Sequence, residues 1–324
     1  MKEAIETREL FALDNLGVVL QGTCHDTCDK GLDAQSNLIK RDRVGLLFMN
    51  GLSAMRSAKG DSAVYWADSF AKRGYPSFRL DLPGFGDSEG DPPTDQLGFI
   101  NQGGYGTIAT DAIDELAARF NLSGIVIVAH CSGTVTAIYT AASSRKCRGL
   151  VLMDPYFYLP QIKGSKIRRL LHVWALQSRL EGLLINLYDL SKQLFLFFRG
   201  NARPDNANIP LLRCWKEIAS SGLPILIFKR SGREAPGVKP RTGEFDYLKH
   251  ILDLAGRKSQ VVVRVTDGAH HSFANHLGRA AVRQHTEQWL DAYFPLADGG
   301  DSDRNTVCSE FGDSNMTIET VSGV

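Results

Sequence analysis

Residues 125–139, IVIVAHCSGTVTAIY, constrain the fold of this chain more than any other stretch. Four β-branched residues (Ile125, Val126, Ile127, Val128) run directly into Ala-His-Cys-Ser-Gly, and an amphipathic helical pattern follows. A buried strand, a sharp turn and a helix, in that order, make the kind of elbow that holds a nucleophile in a strained backbone conformation. Such a turn leaves room only for small residues two places before and two places after the nucleophile. Cys131 passes that test, flanked by Ala129 and Gly133; Ser132, flanked by His130 and Thr134, does not. Cys131 is the expected nucleophile and Ser132 its alternative. The competing reading is a buried, inert thiol, a common state of a free cysteine.

Around the elbow, strand-like and helix-like patterns alternate. Residues 43–49 (RVGLLFM) form a continuous apolar run, as a strand buried on both faces requires. Further strands are expected at 75–80, 148–153, 223–228 and 260–265, with helices at 63–73, 105–120 and 280–294 and an antiparallel hairpin over 9–20. Alternation of this kind predicts an α/β fold, a mostly parallel eight-stranded sheet flanked by helices. At residues 161–203 it gives way to a helical, apolar and basic block, read as a cap inserted after strand six. The core is then 1–160 and 204–296, and the polar stretch 297–324 is read as a disordered acidic tail.

Composition excludes more than it identifies. With 43% hydrophobic and 23% charged residues the chain is globular, and a net charge of +1 points to no nucleic-acid partner. No basic leader, and no run of apolar residues long enough to span a bilayer, appears in the sequence. Six scattered cysteines suggest a reducing, cytoplasmic compartment. Cys24-His25 with Cys28 resembles half of a metal site, but no second half exists, so neither a metal nor another cofactor is expected. The cap segment carries a net excess of six positive charges, from Lys163, Lys166, Arg168, Arg169, Arg179, Lys192, Arg199 and Arg203 against Glu181 and Asp189. That excess suggests a small-molecule acyl substrate held on an anionic carrier, CoA or a carrier protein; a solvated helix face is the plainer reading.

The remaining chemistry follows chain order. Asn50-Gly51 ends the 43–49 strand where a backbone N–H is needed for a developing oxyanion, so the Leu52 amide is the expected donor, with the Ser132 amide as the second. Two such donors typically contribute roughly 2.7–4 kcal/mol each. Asp81, opening Asp-Leu-Pro-Gly-Phe-Gly-Asp-Ser, reads as a turn-capping carboxylate, and residues 89–106 as a surface loop. Of two adjacent histidines after the last strand, His271 is preferred as base because Ser272 and Phe273 follow it; His270 is the alternative. Glu234, about six residues past the core of the 223–228 strand, is the preferred acid. Asp154 at the end of the 148–153 strand is its rival, with Glu244 and Asp246 behind.

Taken together, these residues resemble the α/β-hydrolase superfamily over about 44–294. The cysteine elbow is similar to that of dienelactone hydrolases and polyhydroxyalkanoate synthases. A nearer likeness is to the hydrolases associated with the exosortase A system. It rests on Gly74-Tyr75-Pro76, the turn 81–88, Cys131, Ser231-Gly232-Arg233-Glu234, Glu244-Phe245 and His271-Ser272-Phe273. The likeness implies Cys131, Glu234 and His271 as a triad. This chain departs from it at Ala129, which replaces a glycine, and at Glu234, which replaces an aspartate. The implied activity is cleavage of an ester, lactone or thioester through an acyl-cysteine, or acyl transfer or cyclisation by the same intermediate. A catalytically degenerate fold that binds a ligand under its cap is the reading from another class.

Overall fold

The computed structural model describes residues 5–15, 17–28, 43–52, 54–159, 206–231, 247–256, 259–296 and 318–321. Strands β1 (Ile5–Asn15) and β2 (Val18–Cys28) form the N-terminal antiparallel hairpin. β3 (Val44–Met49), β4 (Ser77–Leu80), β5 (Gly124–His130), β6 (Cys147–Met153), β7 (Ile225–Arg230) and β8 (Val261–Thr266) lie parallel to one another. The expected eight strands are therefore present. A ninth, β9 (Ile318–Val321), adds in parallel beside β8, giving the order β1-β2-β4-β3-β5-β6-β7-β8-β9 among the described residues.

β9 corrects the reading of 297–324 as wholly disordered. Ile, Thr and Val favour extended backbone, and β8 offers an open edge for them to pair with. The rest of the acidic tail and the whole cap segment 161–203 lie outside the described residues.

β5 shows why its sequence has no polar alternation. Ile125, Ile127 and Ala129 belong to a core cluster on one face of the sheet, while Val126 and Val128 belong to a second cluster on the other. Successive side chains of a strand point to opposite faces, so a strand covered on both sides must be apolar throughout. One face is covered by α1 (Ser62–Lys72) and α7 (His276–Tyr293), whose Trp66, Phe70, Trp289 and Leu290 are buried. The other is covered by α3 (Gly106–Arg119), α4 (Gly133–Ser143), α5 (Ile209–Ser220) and α6 (Tyr247–Ala255).

The stretch 89–106, expected to be a surface loop, contains one short helix, α2 (Gln96–Asn101). The Asp95 carboxylate accepts the Gly98 N–H at 2.9 Å, capping the first turn, and Ile100 and Asn101 are buried. Gly-Pro composition concealed a helix that is held by its cap and by burial rather than by propensity.

Candidate active site

The residues that directly follow β3, β5, β6 and β8, with the last residues of β7, lie at the carboxyl ends of the parallel strands, the side where such sheets carry ligands. β5 ends at His130, and Cys131 follows with φ = 52°, a left-handed conformation that costs a non-glycine residue energy. Ser132, one residue on, has an ordinary helical φ of −64° and heads α4. The strain thus sits on Cys131. It persists because the N–H and carbonyl of Cys131 are both tied down. Cys131 N–H donates to the Met153 carbonyl at 3.0 Å, and Thr134 N–H returns to the Cys131 carbonyl at 3.0 Å. The small-residue requirement is also visible. A Cβ at Gly133 would lie 2.4 Å from the Met49 carbonyl oxygen and 2.6 Å from that of Asn50.

The loop after β3 presses against this turn, since a Cβ at Gly51 would lie 3.2 Å from Cys131 Cβ. Leu52, next along, is exposed. Ser132 is buried, its hydroxyl has no hydrogen-bond partner among the described residues, and its amide belongs to the first turn of α4, where N–H groups lack intrahelical acceptors. The far end of the β3 loop is held by Asp81, the turn-capping carboxylate. It accepts the Arg56 N–H at 2.6 Å and the Asp87 N–H at 3.2 Å and pairs with the Arg56 guanidinium.

His271 Nδ1 lies 2.9 Å from Asp154 Oδ2, and its ring is also in contact with the Cys131 thiol. The Asp154 hydrogen bond, reinforced by the thiol, raises the imidazole to about 9 against the effect of burial. Burial opposes the charge on Asp154. The His271 hydrogen bond and the Lys229 and Arg230 cations outweigh it, holding the carboxyl at about 2. Arg230 Nε is 2.9 Å from Oδ2 and Lys229 Nζ is 3.5 Å from Oδ1. The register explains the meeting. Met153 of β6 pairs with Phe228 of β7, so the residues just beyond them, Asp154 and Lys229, are brought side by side.

Phe273 fixes the histidine turn. It is fully buried, packs edge-on against Phe228 and donates its N–H to the His270 carbonyl at 2.9 Å. His270 is exposed, and its N–H is held by Asn275 Oδ1 at 3.2 Å.

The structure thus brings Cys131, His271 and Asp154 together, with Gly51 and Ser132 alongside. Glu234, Glu244 and Asp246 lie outside the described residues. Sequence reasoning missed His130, whose Nε2 meets the His271 carbonyl at 2.7 Å and whose ring lies 5.0 Å from that of His271. A histidine ending an otherwise apolar strand was the available sign. It also missed Lys229 and Arg230, a basic pair at the end of β7.

A parallel sheet of this order, with a strained turn after its central strand and an Asp–His pair at the ends of β6 and β8, is the α/β-hydrolase arrangement. The family model described as "Alpha/beta hydrolase family" matches residues 46–294, and the chain belongs to that family. Among solved structures it is similar to the Pyrococcus furiosus esterase Pf2001 (15% identity, TM-score 0.53, 90% of this chain and 93% of that one). It is also similar to TT1662 from Thermus thermophilus (16% identity, TM-score 0.51, 88% and 99%). DcsB in complex with its substrate analogue is a third (14% identity, TM-score 0.54, 89% and 99%). At these identities the likeness shows the fold. No match was found among curated proteins. Among the described residues no helix is long and apolar enough to cross a membrane.

Proposed function

We propose that the chain is a cysteine-dependent hydrolase that cleaves an ester, lactone or thioester through an acyl-cysteine on Cys131, in the manner of the exosortase-associated members of the family. One observation carries the reading: the left-handed φ falls on Cys131, and the half-exposed His271 lies between that thiol and Asp154.

Asp154 takes the role of the acid, since it bonds His271 Nδ1 and fixes the tautomer that leaves Nε2 for the nucleophile. Cys131 Sγ attacks the carbonyl carbon while its proton resides on His271. The Leu52 and Ser132 amides hold the oxyanion. Collapse of the tetrahedral adduct breaks the bond to the leaving alcohol or thiol, which takes the proton from Nε2. Water then attacks the acyl-cysteine, giving its proton to His271, and the acid departs with the thiol restored. An amine or alcohol in place of water would make the same intermediate a transferase or cyclase. The half-exposed histidine leaves water access to this step, which favours hydrolysis.

The basic cap segment supports an acyl group presented on CoA or a carrier protein. Three cysteines free of disulfides among the described residues, Cys131, Cys147 and Cys214, suit a reducing cytoplasm.

The test is intact mass and turnover with p-nitrophenyl esters and acyl-CoAs, comparing wild type with Cys131→Ala and Ser132→Ala. An acyl adduct kept in Ser132→Ala and lost in Cys131→Ala supports the reading. An adduct lost only in Ser132→Ala moves the nucleophile, and no adduct in any variant favours a ligand-binding role.

A further inference from the structure

β7 lies between β6 and β8 in the sheet, so the hydrogen bond from Asp154, just past β6, to His271, beyond β8, crosses the tip of β7. Lys229 and Arg230 are the last two residues of that strand, and both reach the Asp154 carboxylate. They do so differently. Lys229 is buried, with Nζ 3.5 Å from Oδ1 and 3.5 Å from the Pro155 carbonyl. Arg230 is half-exposed, and its Nε donates at 2.9 Å to Oδ2, the same oxygen that His271 Nδ1 meets at 2.9 Å. Asp154 itself has a left-handed φ of 51°, and its N–H donates to the Phe228 carbonyl at 2.9 Å, which ties its backbone to β7. Strain of this kind at a charged residue points to function.

One carboxylate oxygen thus serves a histidine and a permanent cation, since a guanidinium stays charged at any working pH. Two nitrogens at that distance from one atom lie within about 6 Å of each other, where even a water-like dielectric leaves two unit charges with about half a pH unit of mutual influence. From β5, Cys131 and His130 act on the same imidazole. A thiolate on Cys131 supports the imidazolium, but that support ends once the sulfur carries an acyl group. The histidine then has to be neutral, because only a neutral imidazole takes a proton from the attacking water. At that stage Asp154 favours the imidazolium and the cations on Asp154 oppose it.

We propose that Arg230 is a positioning residue that acts on His271 through Asp154, weakening the carboxylate's hold on the imidazolium so that the histidine can accept a proton from water once Cys131 is acylated. The inference rests on the Cys131–His271–Asp154 reading and gives its hydrolytic half to a residue outside the three. A purely structural Arg230 would act in the opposite sense. Its loss would let the carboxylate drift from His271, and the imidazole would become less basic.

The experiment is an NMR titration of the His271 imidazole in Cys131→Ala, which lacks the thiol as the acyl-enzyme does, with Arg230→Gln and Arg230→Lys added to it. The His271 signal is assigned by its absence from His271→Gln. Arg230→Gln is expected to raise the His271 pKa by about half a unit, and Arg230→Lys, which keeps the charge, to raise it by less than half as much. High salt should narrow the gap, since Arg230 is half in solvent. With Cys131 intact, the acid limb of p-nitrophenyl acetate hydrolysis should move up by a similar amount in Arg230→Gln while the plateau rate holds. A His271 pKa that falls or does not move in Arg230→Gln, or a lowered plateau with an unmoved acid limb, would overturn the proposal. Failure of the underlying reading would show separately, as an acyl adduct that persists in Cys131→Ala or a His271 pKa indifferent to Asp154→Asn.

Discussion

His25 and His271 each present Nδ1 to a carboxylate, Asp68 at 2.6 Å and Asp154 at 2.9 Å, yet their environments drive them apart. His25, on β2 of the hairpin, is wholly buried, and desolvation lowers it despite Asp68. Its Nε2 accepts from Arg79 Nε at 2.8 Å, so the ring is held neutral with the proton on Nδ1. Both nitrogens are spent, which leaves none for a metal or a substrate beside Cys24. His271 is half-exposed, is raised to about 9, and interacts with the Cys131 thiol. The pair itself is the same motif in both places. What differs is the second partner: the Arg79 guanidinium at His25, the Cys131 thiol at His271.

The largest test of that contrast is at the reactive pair. Cys131→Ala is expected to lower kcat/KM by on the order of 10⁴-fold or more, with folding unchanged. Asp154→Asn should cost about 10³–10⁴-fold by releasing the histidine tautomer. Its rate profile should also lose activity at lower pH than wild type, because the group that raises His271 is gone. Glu234→Gln should leave steady-state kinetics within about threefold if Asp154 is the acid; equal losses in both would break the assignment.

At the structural pair the expected effect moves from rate to stability. Asp68→Ala leaves the buried His25 Nδ1–H without its acceptor and should cost about 1–3 kcal/mol in denaturant unfolding. The kcat of the folded fraction should stay the same. His130→Phe, which deletes the 2.7 Å bond to the His271 carbonyl while keeping the ring volume, should lower kcat by about 10-fold with little change in stability.

The smallest effect is in the pH dependence of Tm. A group raised to about 9, such as His271, contributes stability that is complete below its unfolded value near 6.5 and is lost as pH rises through 9. A lowered group, such as His25, acts in the other direction, losing stability as pH falls below about 6.5. His271→Gln should flatten the alkaline fall by about 2–4 °C or less, since the side chain is half in solvent, and leave the acid side alone. A flattened acid side instead would mean the two histidines had been assigned the wrong way round.

How far the sequence carried depends on the range of each constraint. The elbow was legible because its constraint is local: the strain at Cys131 demands small residues at fixed offsets, and Ala129 and Gly133 supply them. His271 was legible for a similar reason, since Phe273, two residues on, anchors its turn. Asp154 ranked second because its partnership is set by strand adjacency across the sheet. Read along the chain, Asp154-Pro155 merely ends a strand. The overlooked sign was Lys229-Arg230. Two cations at the tip of β7, where an acid was being sought, are what a carboxylate on the neighbouring strand would attract.

The most direct test of the central claim is the pH dependence of Cys131 alkylation by iodoacetamide, followed by peptide mapping in wild type, Asp154→Asn and Glu234→Gln. Mapping separates it from Cys147, whose thiol burial pushes up to about 12, and from Cys214, which burial also raises. The account predicts that Cys131 is the fastest-labelled thiol at neutral pH, that Asp154→Asn slows it several-fold there, and that Glu234→Gln leaves it unchanged. Slow labelling of Cys131 in wild type, or a loss confined to Glu234→Gln, would contradict it.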